Sequence, residues 1–568
     1  MADPAASNTT RGEIGRRRRR RRVASLATVV TLTAAIGITP FTLRHHVSAE
    51  ATPPVGDIEG QSLPPVPATP DVRFPLGSWQ VGRRVFGGIE GYAGRMSVLP
   101  GDRLVVYVRT RARNYSATVY RMGYYRGAGA NLMMASKSLA GTQQPLCPVE
   151  ARGMVECRWR KSFSLAVQPT WPSGVYLIKL SASDSSESFV PFVVRESTPT
   201  ATILFQVSVT TWEAYNTWGG RDLYQGPCPR KAPGPIPSSP PGASASPTPT
   251  PKASSPTPSP SPSPTPILSP VAFVRRVSPQ ASGEGRGCAF ANRARAVSFD
   301  RPYTWPGTGQ FLRFEYPMLY WLESKGYHVA YATDTDLHEG TDALASRQIF
   351  IAAGHDEYYS REMRRALESA LTTGTSLIFM GADDIYRHIR FEASPLGADR
   401  VVVNYKVAGE DPFSITDPQE STGQWREWPL HDPEQLLLGA QYECNPVSAS
   451  WVPTGRPAWL FHGTGLLAGR GIPRLVGYEY DKTFSDQSQP AGVIDVARSP
   501  LTCSGRQSES DSTFYVAPSG AGVFDAGTLE LVCALGPTSH ACQSVPPDTR
   551  IQKMMANLVE AMRARKFT

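Results

Sequence analysis

The sequence predicts two folded units of different class, a β-sandwich followed by an α/β domain built on a parallel sheet. Three observations predict this. Between residues 74 and 198, short β-branched and aromatic runs are separated by Gly, Pro, Asn and Asp turn residues. From residue 199 to 568, continuous apolar strands alternate with stretches of helical periodicity. A tract at 229–270 holds 16 Pro in 42 residues, mostly alternating with Ser and Thr, and interrupts the second unit without the means to pack a core.

Composition supports folding. The 568 residues are 40% hydrophobic and 10% aromatic, which excludes a wholly disordered chain. The formal charge of +9 invites a nucleic-acid partner, but residues 1–49 carry nine Arg against Asp3 and Glu13, so the remaining chain is close to neutral. No nucleic acid is expected. Seven of those Arg form the run 16–22, directly before the apolar stretch 23–43, the pattern of an export signal or of a single N-terminal membrane anchor. Val47-Ser48-Ala49 resembles a cleavage site; in either case the body lies outside the cytoplasm, on the cell membrane or secreted. Eight Cys fit that compartment. Loop-closure entropy favours near neighbours, giving Cys147 with Cys157, Cys228 with Cys288, Cys444 with Cys503 and Cys533 with Cys542. None shows the CxxC spacing of a zinc site.

After the Pro-rich linker at 50–73, the first unit is expected to take strands at 103–109 (RLVVYVR), 116–121 (SATVYR), 174–181 (GVYLIKLS) and 188–195 (SFVPFVVR). In the second, 201–209 (ATILFQVSV) suits a strand buried on both faces. The spacing predicts a helix over 310–326, strands at 328–332, 348–353 and 376–380, and a helix over 360–373 with Ser360 as its N-cap. A final helix over 548–565 places Ile551, Met554, Met555, Leu558, Val559 and Met562 on one face. The Pro tract is expected to leave the domain as a surface excursion stapled at its base by Cys228 and Cys288.

Three segments at strand ends are unusually polar: 354–359 (GHDEYY), 381–387 (GADDIYR) and 476–481 (VGYEYD). Loops after adjacent parallel strands emerge on the same sheet edge, so their tyrosines and carboxylates can converge. Phenolate and carboxylate oxygens suit a hard cation. Any one segment alone is an ordinary strand-end turn with Tyr capping the core. Thiol nucleophilic catalysis is excluded, because the turn at 353–357 (AGHDE) holds no Cys, and no Gly-x-Ser-x-Gly elbow, phosphate loop or dinucleotide fingerprint is present.

The segments 212–220 (WEAYNTWGG), 297–303 (VSFDRPY), 354–360 (GHDEYYS), 476–481 and 522–528 (GVFDAGT), with the final helix, together make residues 75–568, apart from the Pro tract, resemble the large subunit of N,N-dimethylformamidase. The resemblance implies an immunoglobulin-like sandwich joined to an amidotransferase-like, flavodoxin-like α/β domain. It also implies a mononuclear iron held by Tyr358, Tyr386 and Glu479, with metal-activated water attacking the carbonyl carbon of a small amide and the C–N bond then breaking. His355 and Asp384 become proton-transfer candidates, and Tyr359 an aromatic wall. Oligomeric state and any small subunit are left open. The alternative is a non-enzymatic cell-envelope module that holds a glycan in an aromatic cleft around Trp212, Tyr215, Trp218 and Tyr224.

Overall fold

The apolar run after residue 200 becomes the strand Ile203–Val207, all of it buried, followed directly by the short helix Val209–Ala214. It lies inside a seven-stranded sheet whose order is Val329–Thr333, Ile203–Val207, Ile349–Gly354, Ser376–Gly381, Gly522–Asp525, Arg506–Val516, Ile494–Cys503. The first five strands are mutually parallel; Arg506–Val516 runs antiparallel to them and pairs antiparallel with Ile494–Cys503. Taken in chain order, the parallel strands therefore lie 2-1-3-4-5. The order reverses beside Ile203–Val207, so the loops leaving it and leaving Ile349–Gly354 diverge and open a crevice at their C-terminal ends.

Each of the five parallel strands is buried on both faces, and the period of two divides its residues between two cores. Ile349, Ile351 and Ala353 pack with the helices Tyr316–Ser324 and Thr549–Ala564. Phe350 and Ala352 pack with Met363 and Leu367 of the helix Arg361–Thr372 on the other face. That helix begins as expected: the Ser360 hydroxyl accepts from the Met363 N–H. The expected helix over 310–326 is two pieces, Phe311–Phe314 and Tyr316–Ser324. Pro317 has no N–H to return to the Arg313 carbonyl. The Glu315 carboxylate meanwhile accepts from the Ser208 N–H and the Trp212 indole, both at 3.0 Å. In the last helix all six expected apolar residues are buried.

The N-terminal part holds the strands Ile89–Ala93, Arg103–Thr110 and Phe163–Ala166 in one sheet, and Asn114–Met122, Ala130–Ala135, Gly174–Ala182 and Glu187–Val194 in another. Leu104, Val106 and Phe163 of the first share a core with Val119, Ile178 and Phe192 of the second. All four disulfides pair as expected, and no cysteine among the described residues is free.

The computed structural model describes residues 57–58, 78–82, 85, 87–228, 288–537, 542 and 545–568; all belong to one compact unit, Val55–Thr568. The arginine run, the apolar stretch 23–43, nearly all of the linker and the Pro tract lie outside the described residues. Among those described, no helix is long and apolar enough to cross a membrane.

Candidate functional site

The crevice between Ile203–Val207 and Ile349–Gly354 collects polar side chains from several segments. Gly354 ends its strand at φ +80, and a Cβ there would stand 2.1 Å from the Phe314 Cβ, so glycine lets the chain turn beneath that ring. The next residues alternate. His355 and Glu357 face the crevice, while Asp356 turns back to accept from Gln206 at 2.7 Å and from the Tyr359 hydroxyl at 2.5 Å.

Glu357, fully buried, is the hub. Its carboxylate accepts from the hydroxyls of Tyr215 at 2.6 Å and Tyr224 at 2.7 Å, and from Arg387 Nε at 3.2 Å. His355 Nε2 lies 3.5 Å from it. Burial alone would raise the Glu357 pKa, but Lys406, His355 and Arg387 outweigh it and hold the carboxyl well below its usual range. Tyr358 follows on the strand Tyr358–Tyr359. Its hydroxyl bonds Tyr224 at 2.7 Å and takes a hydrogen bond from the Lys406 ammonium. The same ammonium sits 3.4 Å from the Tyr224 ring centroid. Burial, with Arg387 nearby, lowers the Lys406 pKa well below that of a free amine.

Beyond His355 lies a second group. One ligating atom each from His355, Asp383 and Glu479 lies within 4.8 Å of the other two. His355 Nε2 is 3.3 Å from Glu479 Oε2 and 3.9 Å from Asp383 Oδ2. Asn445 Nδ2 donates to the other Glu479 oxygen at 2.5 Å, and Gln310 meets His355 Nδ1 at 3.2 Å. Asp383 takes φ 60, a left-handed conformation that costs a non-glycine residue about 1 kcal/mol. An Asp481 carboxylate oxygen accepting from the Asp383 N–H at 2.9 Å fixes it. Burial lowers the His355 pKa, but Glu479, Asp383 and Glu357 overcome this and raise it well above the usual imidazole value. Burial raises both Asp383 and Glu479.

The expected site residues separate as follows. Tyr358, His355 and Glu479 are joined through Tyr224 and Glu357 by contacts of 2.7, 2.7, 3.5 and 3.3 Å. Tyr386 lies at the same edge, its ring centroid 4.4 Å from the Arg387 guanidinium, 4.7 Å from that of Arg426 and 5.1 Å from the Tyr442 ring. Asp383 has a carboxylate oxygen within 4.8 Å of Glu479 and His355, and its charge reaches Tyr358 and Tyr386. Asp384 lies outside the His355, Asp383 and Glu479 group: it accepts from the Asp356 N–H at 3.1 Å and feels the charges of Asp356, Asp481 and Asp525. Tyr359 is no wall of this site, since its ring joins the opposite core. The four aromatics expected to form one cleft do not form one. Trp212 is buried on Glu315, Tyr215 and Tyr224 hold Glu357, and Trp218 donates to Glu90 at 2.9 Å beside a separate cleft of about 290 Å³.

Sequence reasoning missed Lys406 and Asn445 and gave Glu357, Asp383 and Arg387 no role in this site. Glu357 and Asp383 stood in quoted segments, whereas Lys406 and Asn445 lie in stretches that carry no recognisable pattern.

The parallel-sheet edge thus carries a buried group of carboxylates, an imidazole and phenols. Residues 116–255 and 280–544 match the family described as N,N-dimethylformamidase beta subunit-like, C-terminal, and the chain belongs to that family. It is 22% identical over 236 residues to an N,N-dimethylformamidase beta subunit from Alcaligenes sp.; the match covers 41% of this chain and 28% of that protein's length. Among solved structures, a Paenibacillus sp. cycloisomaltooligosaccharide glucanotransferase matches at 13% identity and TM-score 0.13, over 21% of this chain and 16% of that one. Murine CEACAM1b matches at 13% identity and TM-score 0.11, over 21% and 62%.

Proposed function

We propose that this chain is an exported, metal-dependent hydrolase of C–N amide bonds acting on a small substrate. The observation that carries the reading is the set of buried, ligand-type atoms without a hydrogen-bond partner, His355 Nε2, Asp383 Oδ1 and Glu479 Oε2, at the sheet edge of a chain in this family. Orphaned buried polar atoms are costly, and burial holds the carboxyls of Asp383 and Glu479 above their usual range. These residues fit a hard cation. Glu479 with Tyr358 and Tyr386 would hold it, iron being the ion the family resemblance implies, and His355 and Asp383 supply neighbouring donors.

Such a cation supplies Lewis acidity towards a carbonyl and a lowered pKa for water. The chain's own residues do the rest. Asn445 occupies one Glu479 oxygen and leaves the other facing His355. His355, oriented by Gln310, stands where a proton can pass to the departing amine. Burial of Glu357, Tyr358 and Asp383 excludes water and keeps the substrate small. The parallel-strand order 2-1-3-4-5 supports the amidotransferase-like fold assignment, and four disulfides support export.

The test is metal analysis of freshly purified protein with a visible spectrum, followed by ammonia or amine release from small amides. A stoichiometric metal, a tyrosinate-to-iron absorption band and amide turnover are expected; folded protein without metal and without turnover would sink the reading.

A further inference from the structure

Arg313 belongs to the short helix Phe311–Phe314, whose flanking residue Gln310 holds His355. Its guanidinium lies 4.5 Å from the Phe314 ring centroid, and that ring meets the His355 ring edge-on at 6.1 Å. Phe314 also packs with Ala382, beside Asp383, and with Leu529 and Tyr478, beside Glu479 and Glu530. Arg313 thus stands one aromatic ring away from the imidazole of the candidate site.

The neighbouring arginines are satisfied. Arg387 pairs with Glu357, Arg426 with Glu434 and Arg301 with Glu213. Arg313 differs: half-buried, its guanidinium makes no hydrogen bond and no ion pair among the described residues, and partial desolvation lowers its pKa. Glu479 and Glu530 feel its charge from beyond ion-pair distance. A guanidinium carries five N–H donors in a planar fork that matches a carboxylate, and a half-buried one with no acidic partner keeps those donors free for a ligand.

We propose that Arg313 binds a carboxylate on the substrate, so that the preferred amides are N-acyl or N-formyl amino acids rather than uncharged amides. The inference rests on the amide-hydrolase reading of the same site. The carboxylate lies against Arg313 and Phe314, and the amide one short unit away reaches His355 and Glu479. The buried Phe314 ring between them sets that spacing.

The test measures binding by calorimetry and turnover in parallel, on the full chain, with N-acetylglycine and its uncharged analogue N-acetylglycinamide. The acid is expected to bind about tenfold or more tighter than the amide. Arg313→Met should abolish that difference and Arg313→Lys restore part of it, because lysine keeps the charge but not the fork. Equal binding of the two compounds, or a preference that survives Arg313→Met, would overturn the proposal. Arg313-dependent preference without hydrolysis of either compound would support the carboxylate site and refute the hydrolase reading. Hydrolysis of both with no preference would do the opposite.

Discussion

Tyr358 and Tyr359 are adjacent, equally buried and opposite in role, because a strand sends successive side chains to opposite faces. Tyr358 meets Lys406 and Tyr224 in the crevice; Tyr359 meets Asp356 and Gln206 in the core behind the sheet. Their Phe variants should therefore separate. Tyr358→Phe removes a proposed metal ligand and is expected to lower metal content per chain, as is Glu479→Gln, which keeps size but loses the anionic oxygen. Tyr359→Phe should leave metal content unchanged and cost about 1 to 3 kcal/mol, since it strips a buried carboxylate of a donor. Metal assay beside thermal melting of each variant checks the pair. A Tyr359→Phe protein that loses metal while Tyr358→Phe retains it would reverse the ligand assignment.

At the scale of elements, burial, with Asp495 and Glu509 adding to it, pushes Asp511 up to about 6 from 3.8. It lies opposite Arg498 in the hairpin of Ile494–Cys503 and Arg506–Val516 and accepts from the Thr483 N–H at 3.0 Å. Between those pH values the native chain keeps a proton that the unfolded chain has released, so this contribution to stability falls as pH rises through the window. Asp511→Asn keeps the acceptor and removes the titration. Denaturant unfolding at pH 4 and pH 7 should show the wild type losing roughly 2 to 3 kcal/mol more than the variant between the two. Elements of this kind were legible where periodicity alone decides: the buried face of Thr549–Ala564, the Ser360 cap and the apolar strands all stand where their patterns place them. Leu558→Ala on that face should cost about 2 to 5 kcal/mol in the same assay. What was not legible depends on distant partners. The helix break at Glu315 is tied to Ser208 and Trp212, the choice of Asp383 over Asp384 follows from one left-handed residue, and Lys406 reaches Tyr358 across 48 positions of sequence.

For the whole molecule, the four disulfides tie compartment to stability. Cys147–Cys157 and Cys533–Cys542 span 10 and 9 positions, whereas Cys228–Cys288 and Cys444–Cys503 span 60 and 59. In the chain-entropy account the short loops each contribute about 3 kcal/mol and the long ones about 4. The sum is comparable to the entire stability of an ordinary folded chain, about 5 to 15 kcal/mol, so full reduction should bring the fold close to its limit. Paired Cys→Ser replacement at 444 and 503 should then lower stability by about 1 kcal/mol more than replacement at 147 and 157, read as the difference in denaturant midpoints at constant slope. A chain that depends on these bridges belongs in an oxidising compartment. Protein recovered from its native host should take up no thiol reagent before reduction and eight equivalents after it, one for each Cys. Protease added to intact cells should also degrade the body if the segment at 23–43 remains an anchor. Eight reactive thiols in the untreated native protein would remove the physical argument for export.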